Sequence, residues 1–183
     1  MKDNSVSLAV AWRESTMLVI FGGLPGSGKS TVAQALARRI KALYLRVDTV
    51  EQAIRTTAPL VEGLDVGPSG YVTLFRLAAD NLRLGHTVIV DSVNPLPLTR
   101  NAFRDVAAES GTRFIEVEIF CSDVAVHRHR AETRSPSVDG LSPPSWAAIQ
   151  NMHYETWIPD LRLDTSLLSV EQSVAEIVEK LGR

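Results

Sequence analysis

Between Gly23 and Ser30 the chain reads Gly-Leu-Pro-Gly-Ser-Gly-Lys-Ser, which meets the phosphate-loop pattern G-x-x-x-x-G-K-[ST] at every fixed position. A loop of this kind needs each residue type for a separate reason. Glycines let successive backbone N–H groups turn inward onto phosphate oxygens, and the helix that follows adds the positive end of its dipole. The lysine reaches the β and γ phosphates as a point charge, and the serine hydroxyl joins the coordination sphere of Mg²⁺. The flanks agree with that reading. Met17 to Phe21 is a short continuous apolar run, as expected of a strand buried on both faces of a parallel sheet. Val32, Ala33, Leu36, Ala37 and Ile40 then recur at helical spacing. The nucleotide-binding candidates are therefore Gly23, Pro25, Gly26, Ser27, Gly28, Lys29, Ser30 and Thr31.

The remaining chain alternates strand-like and helix-like segments, the pattern of a parallel sheet covered on both faces. Strands are expected at Met17 to Phe21, Ala42 to Val47, Thr87 to Val90, Phe114 to Phe120 and Leu161 to Leu163. Helices are expected from about Ser30 to Lys41, from Asp48 through Thr56, and over Tyr71 to Leu84, Pro97 to Ser110, Asp123 to Thr133, Ser145 to Thr156 and Val170 to Leu181. Phe114 to Phe120 alternates apolar and acidic residues, which predicts a strand less fully buried than its neighbours. Thr57 to Gly70 and Ser135 to Pro144 are rich in Gly and Pro and read as loops. The first has the length reserved for substrate covers. A length of 183 residues suits one domain with a substantial core.

Ligands of open α/β sheets bind outside the carboxyl ends of the strands, which makes Asp48, Asp91, Cys121 and Asp164 one neighbourhood. Asp48, at the end of the second strand, is the candidate general base for an attacking hydroxyl, a task worth about 10² to 10⁴ in rate; capping the next helix is its simpler role. Asp91 ends Val88-Ile89-Val90, the arrangement by which a buried strand delivers a carboxylate toward Mg²⁺, so Ser30 and Asp91 are the metal-side candidates. Without an acceptor in view the two carboxylates can exchange roles; Asp48 is preferred as base because it opens a helix facing the long loop. The run His-Arg-His-Arg-Ala-Glu-Thr-Arg supplies Arg128, Arg130 and Arg134. Spacing of four puts Arg130 and Arg134 on one helical face, suited to a lid that brings guanidiniums onto a transferring phosphoryl group.

Other features carry blander readings. His127 and His129 lie two apart and point to different sides of a helix, so no zinc site is drawn from them. Arg55 pairs with Glu51 at helical spacing. Cys121 is the single cysteine and, beside Ile119 and Phe120, reads as a buried structural thiol. Trp146 and Trp157 read as packing residues. A net charge of −2 gives no global field for nucleic acid or an anionic membrane. The first fifteen residues lack a signal-peptide pattern, and no apolar run approaches the roughly 20 residues that cross a bilayer. A cytoplasmic protein is the expectation.

The motif order GLPGSGKST, VDTVEQAI, VIVDSVNP, the arginines ending in AETR, and LDTS resembles the small phosphate-loop kinases. That group includes chloramphenicol phosphotransferase, zeta toxins, gluconate kinases and the 5′-kinase domain of polynucleotide kinase. The resemblance implies a three-layer α/β P-loop NTPase fold with a five-stranded parallel sheet, helices on both faces and an arginine-bearing lid. It implies one kinase domain over 1–183, with an N-terminal extension at 1–15, an acceptor-covering loop at 57–70 and a lid at 128–144. It also implies ATP and Mg²⁺ as cofactors, with Lys29, Asp48, Arg130 and Arg134 as catalytic residues and Arg130 also on the nucleotide. Where polynucleotide kinases carry an arginine three residues past the base, this chain has Glu51, which counts against a nucleic-acid acceptor. The expected activity is transfer of the γ-phosphoryl group of ATP to a hydroxyl of a small molecule. Its alternatives are a nucleotide or polynucleotide 5′-kinase and an ATP-dependent switch or toxin-like regulator.

Overall fold

The apolar run that precedes the phosphate loop is the centre of a five-stranded parallel sheet. The structure, a computed structural model, describes residues 16–57, 67–136 and 138–182. Strands β1 (Met17–Gly22), β2 (Leu43–Arg46), β3 (Val88–Asp91), β4 (Arg113–Phe120) and β5 (Leu161–Asp164) lie in the order β2-β3-β1-β4-β5. All four pairings are parallel. Helices α1 (Lys29–Ile40), α2 (Val47–Thr57), α3 (Ser69–Arg83), α4 (Pro97–Glu109), α5 (Val124–Thr133), α6 (Trp146–Gln150) and α7 (Val170–Lys180) make the connections and the terminal element.

Every residue of β1 is buried, as its unbroken apolar run requires. Successive side chains leave a strand on opposite faces. Met17, Val19 and Phe21 join Val32, Leu36, Val117, Ile119 and Ile177 in a core beneath α1 and α7. Leu18 and Ile20 join Leu74, Leu82, Val90, Phe103 and Trp157 in a second core beneath α3 and α4. The expected three layers are therefore present, and the carboxyl ends of the strands share one edge. Among the described residues, no helix is long and apolar enough to cross a membrane.

β4 is less fully buried than β1 and β3, with Arg113 and Phe114 exposed at its start, yet Ile115 through Ile119 are all buried, including Glu116 and Glu118. The acidic positions are tolerated because each is paired. Arg104 donates Nε and Nη2 to Glu116 at 2.7 and 2.8 Å, and Trp157 Nε1 donates to Glu116 Oε2 at 3.1 Å. Arg162 Nε donates to Glu118 at 2.7 Å. The helix expected over Ser145 to Thr156 stops at Gln150. Beyond it the backbone bonds elsewhere: the Glu155 N–H donates to the Pro95 carbonyl at 2.9 Å, and Arg100, which is buried, gives its guanidinium protons to the carbonyls of Asn94, Pro95, Glu155 and Thr156. Its charged plane stacks on Tyr154 and Trp157 at 5.1 and 4.8 Å from the ring centroids. Those external bonds replace helical ones and draw the segment across β1, where Trp157 rests on Gly22; a Cβ there would lie 2.2 Å from Trp157 Cζ3.

Of the functional segments, the N-terminal extension and residues 58–66 of the acceptor-covering loop lie outside the described residues, and α3 begins at Ser69, inside the span read as loop. Glu116→Ala removes the acceptor of both Arg104 and the buried Trp157 indole. Urea denaturation should show a loss of about 1–3 kcal/mol, the usual cost of leaving a buried donor unsatisfied.

Candidate active site

The phosphate loop joins β1 to α1 through backbone that few residues can adopt. Gly23 has φ +136°, and a Cβ on it would lie 2.0 Å from the Ile119 carbonyl oxygen. Gly26 has φ +84° and packs on α5, where a Cβ would lie 3.1 Å from Ala131 Cβ. Gly28 is the N-cap of α1 in the left-handed region, no side chain caps that helix, and its first turn holds no acidic residue. The amides of the first turn thus have no carboxylate competing for the loop, as an anion site at a helix N-terminus requires. The loop is tied from outside: His127 Nε2 bonds the Pro25 carbonyl at 2.9 Å, and Thr165 Oγ1 donates to the Ser27 carbonyl at 2.7 Å. Thr31 closes the first turn, its N–H on the Gly28 carbonyl at 3.1 Å. Ser27 Oγ is buried with no hydrogen-bond partner among the described residues.

Lys29 and Ser30 converge on Asp91. Lys29 Nζ lies 2.7 Å from Asp91 Oδ1 with both side chains buried, and the Ser30 hydroxyl is near enough to help lower the carboxyl's pKa. The Tyr44 hydroxyl donates to the other oxygen, Oδ2. Burial alone would raise the Asp91 pKa; the Lys29 ammonium, then the Tyr44 and Ser30 hydroxyls, outweigh it and hold the carboxyl below its ordinary range. For Tyr44 burial and the Asp91 charge act together and push the phenol well above its usual value, so it stays a donor.

Asp48 lies in the first turn of α2 rather than at the end of β2. Arg46, the last residue of β2, holds it: Nη2 and Nε donate to Asp48 Oδ2 at 2.8 and 3.2 Å. Arg46 is paired in register with Asp91 on the adjacent strand, so the residue that holds Asp48 is the strand neighbour of Asp91. Tyr71 of α3 faces the same space. Its hydroxyl accepts from the Asn94 N–H at 3.2 Å, and burial, with smaller contributions from Glu51 and Asp48, raises its pKa.

The two arginines expected on one lid face are separated. Arg130 is on α5 and donates to Thr165 Oγ1 at 2.9 Å and to the Thr165 carbonyl at 3.1 Å. Arg134 lies beyond the end of α5, with extended backbone at ψ 134°. Its Nε is buried without a hydrogen-bond partner among the described residues. Burial holds its pKa below the usual arginine range, with Asp48 pulling it back up and Arg46 pushing it down, so its charge stands in the field of both. Arg128 pairs with Glu132 at 2.9 Å on the exposed surface, and Arg55 pairs with Glu51 at 3.4 Å. Gly140, on the segment after Arg134, lies against Gln52 of α2; a Cβ would be 2.8 Å from Gln52 Nε2.

Cys121 is buried, its thiol donating to the Asp123 carbonyl at 3.4 Å and accepting from Arg130 Nη1 at 3.9 Å, and His129 is exposed while His127 is buried. Among the described residues, no group of three or more His, Cys, Asp or Glu is arranged around a common metal position. Residues missed by sequence reasoning are Tyr44, Arg46, Tyr71, His127 and Thr165. Tyr44 and Arg46 carried one usable signal, since they share a strand face and both end in polar groups.

Known proteins show the same arrangement of elements. A probable adenylyl-sulfate kinase of Aeropyrum pernix is 27% identical over 169 residues, covering 88% of this chain and 90% of that protein. An uncharacterized protein of Mycobacterium tuberculosis is 30% identical over 109 residues; the match covers 54% of this chain and 22% of that protein's length. Among solved structures, the Mycobacterium tuberculosis APS kinase CysC in complex with AMPPNP and APS has a TM-score of 0.64 at 25% identity, covering 92% of this chain and 98% of that one. A gluconokinase from Sinorhizobium meliloti has a TM-score of 0.63 at 21% identity, covering 93% and 94%, and shares the fold. The family model described as AAA domain matches residues 18–155. With most of its length inside that match, the chain belongs to this AAA domain family and has the P-loop kinase fold.

Proposed function

We propose that this protein is an ATP- and Mg²⁺-dependent phosphotransferase that moves the γ-phosphoryl group to a hydroxyl of a small molecule. The observation that carries the reading is that two carboxylates follow adjacent strands, Asp91 as the last residue of β3 and Asp48 in the first turn of α2, held by the β2 residue that pairs with Asp91. One, Asp91, is bound to Lys29 of the phosphate loop, with Ser30 near it. The other, Asp48, is held by Arg46 on the side of α2 and Tyr71. A kinase needs this division, with one group serving the phosphates and one the attacking hydroxyl.

The donor set fits the metal. Mg²⁺ is bound through one or two protein oxygens, with phosphate and water completing its shell. Ser30 Oγ and Asp91 are hard oxygen donors at the same end of the phosphate loop, and Mg²⁺ held there would neutralise charge building on the phosphoryl oxygens. On this reading Lys29 moves its ammonium from Asp91 to the triphosphate, and the uncapped first turn of α1 with the loop amides holds the phosphate oxygens. Asp48 takes the proton of the acceptor hydroxyl, and Arg46 keeps that carboxylate aimed. Arg134 stabilises charge on the transferring group, while Arg130, fastened to Thr165, borders the nucleotide. The likeness to a probable adenylyl-sulfate kinase and to an APS kinase solved with AMPPNP and APS supports a small-molecule acceptor. Glu51 at the entrance disfavours nucleic acid.

Screening ATP consumption against pooled hydroxyl compounds should find acceptor-dependent ADP release; a regulator that only binds ATP gives none. With that acceptor, Asp48→Asn should keep ATP affinity and lose about 10²-fold or more of turnover. Unchanged turnover removes Asp48 from the mechanism. Arg134→Ala should lower kcat by about 10²- to 10³-fold, as loss of one transition-state donor does. Arg134→Ala should leave the melting temperature nearly unchanged, since its Nε makes no hydrogen bond to a described residue.

A further inference from the structure

Asp91 has two oxygens, and different elements hold them. Oδ1 is 2.7 Å from Lys29 Nζ, at the start of α1. Oδ2 accepts from the Tyr44 hydroxyl, on β2. Tyr44 is itself placed from two directions. Its backbone pairs in register with Ile89 of β3, two residues before Asp91, and its ring packs against the core beneath α1. The phenol therefore reaches Asp91 from a rigid strand rather than from the phosphate loop.

We infer that Tyr44 is a positioning residue that fixes the metal-side carboxylate of Asp91 through Oδ2, independently of Lys29. This rests on the phosphotransferase reading, in which Lys29 transfers to the triphosphate. At that moment Oδ1 loses its ammonium partner, and a carboxylate on a single Cβ–Cγ bond is free to turn. Tyr44 prevents the rotation: its bond to Oδ2 keeps the carboxylate plane where Ser30 and Asp91 face the same point. Outer partners that orient a metal ligand in this way change metal affinity or activity about 10- to 100-fold when removed. Tyr44 touches neither the loop nor, in the proposed reaction, the phosphates, so its effect passes through Asp91.

The test is nucleotide binding by titration calorimetry, with Mg²⁺ and with EDTA, on the whole chain and on Tyr44→Phe, Asp91→Asn and the double variant. Tyr44→Phe deletes one oxygen from a half-buried ring, and thermal melting checks that the fold is kept. ATP affinity in EDTA should be unchanged in Tyr44→Phe, while the strengthening produced by Mg²⁺ falls by about 10- to 100-fold. In the Asp91→Asn background, Tyr44→Phe should change nothing further, because the two act on one carboxylate. A Tyr44→Phe protein that keeps the Mg²⁺ strengthening overturns the inference, as does an equal effect with Asp91 already replaced. No acceptor is needed, so failure to find one leaves this test intact. A whole chain whose ATP affinity ignores Mg²⁺ overturns the metal reading of Asp91 itself, a different result from the failure of Tyr44 alone.

Discussion

The ion pair between Lys29 and Asp91 fixes the relation between the phosphate loop and the sheet. Both side chains are buried, and two charges withdrawn from water repay their desolvation only when the geometry is good and the remaining lone pairs are used. Here they are used: Tyr44 takes up the oxygen that Lys29 leaves, with the Ser30 hydroxyl nearby. The pair joins the first residue of α1 to the last of β3, with β1 between β3 and β4. The loop cannot shift along the strand ends without stranding a charge. In the proposed reaction the triphosphate replaces Asp91 as the partner of Lys29, so the apo protein keeps its ammonium compensated until the ligand arrives.

The loop is confined on its other sides by three elements. Gly23 meets the carbonyl of Ile119 on β4, Gly26 meets Ala131 on α5, and Thr165, directly after β5, hydrogen-bonds the Ser27 carbonyl. His127 adds a bond from α5 to Pro25 and stands edge-on to Trp146 at 5.1 Å. α5 thus contacts both the loop and the start of α6, and the arginine-bearing segment after it departs from a fixed base.

The loop, all five strands and the placing of Asp91 at the end of the third were legible in the sequence because each depends on a local pattern. An apolar run of Met17 to Phe21 before glycines, or Val88 to Val90 before Asp91, carries its own signal. What was misread depended on a partner far along the chain. Glu116 and Glu118 look like solvent-facing residues until Arg104, Trp157 and Arg162 are seen beside them. The helix to Thr156 has good local propensity, and Arg100, more than fifty residues earlier, takes the Glu155 and Thr156 carbonyls. Tyr44 and Arg46 became recognisable only once β2 was paired with β3, because the register brings Arg46 opposite Asp91. Helical spacing placed Arg130 and Arg134 together; the helix ends at Thr133, and one residue of extended backbone undoes the argument.

That separation bears on how a lid of this kind works. Arg130 makes two hydrogen bonds to Thr165, and Thr165 in turn holds the Ser27 carbonyl. Drawing Arg130 onto a phosphate would loosen the loop that must bind the other phosphates. Arg134 has no such attachment at Nε and stands near Asp48 and Arg46 on the acceptor side. The two arginines are thereby suited to different tasks, one fastened beside the phosphate loop and one in the field of the Asp48 carboxylate.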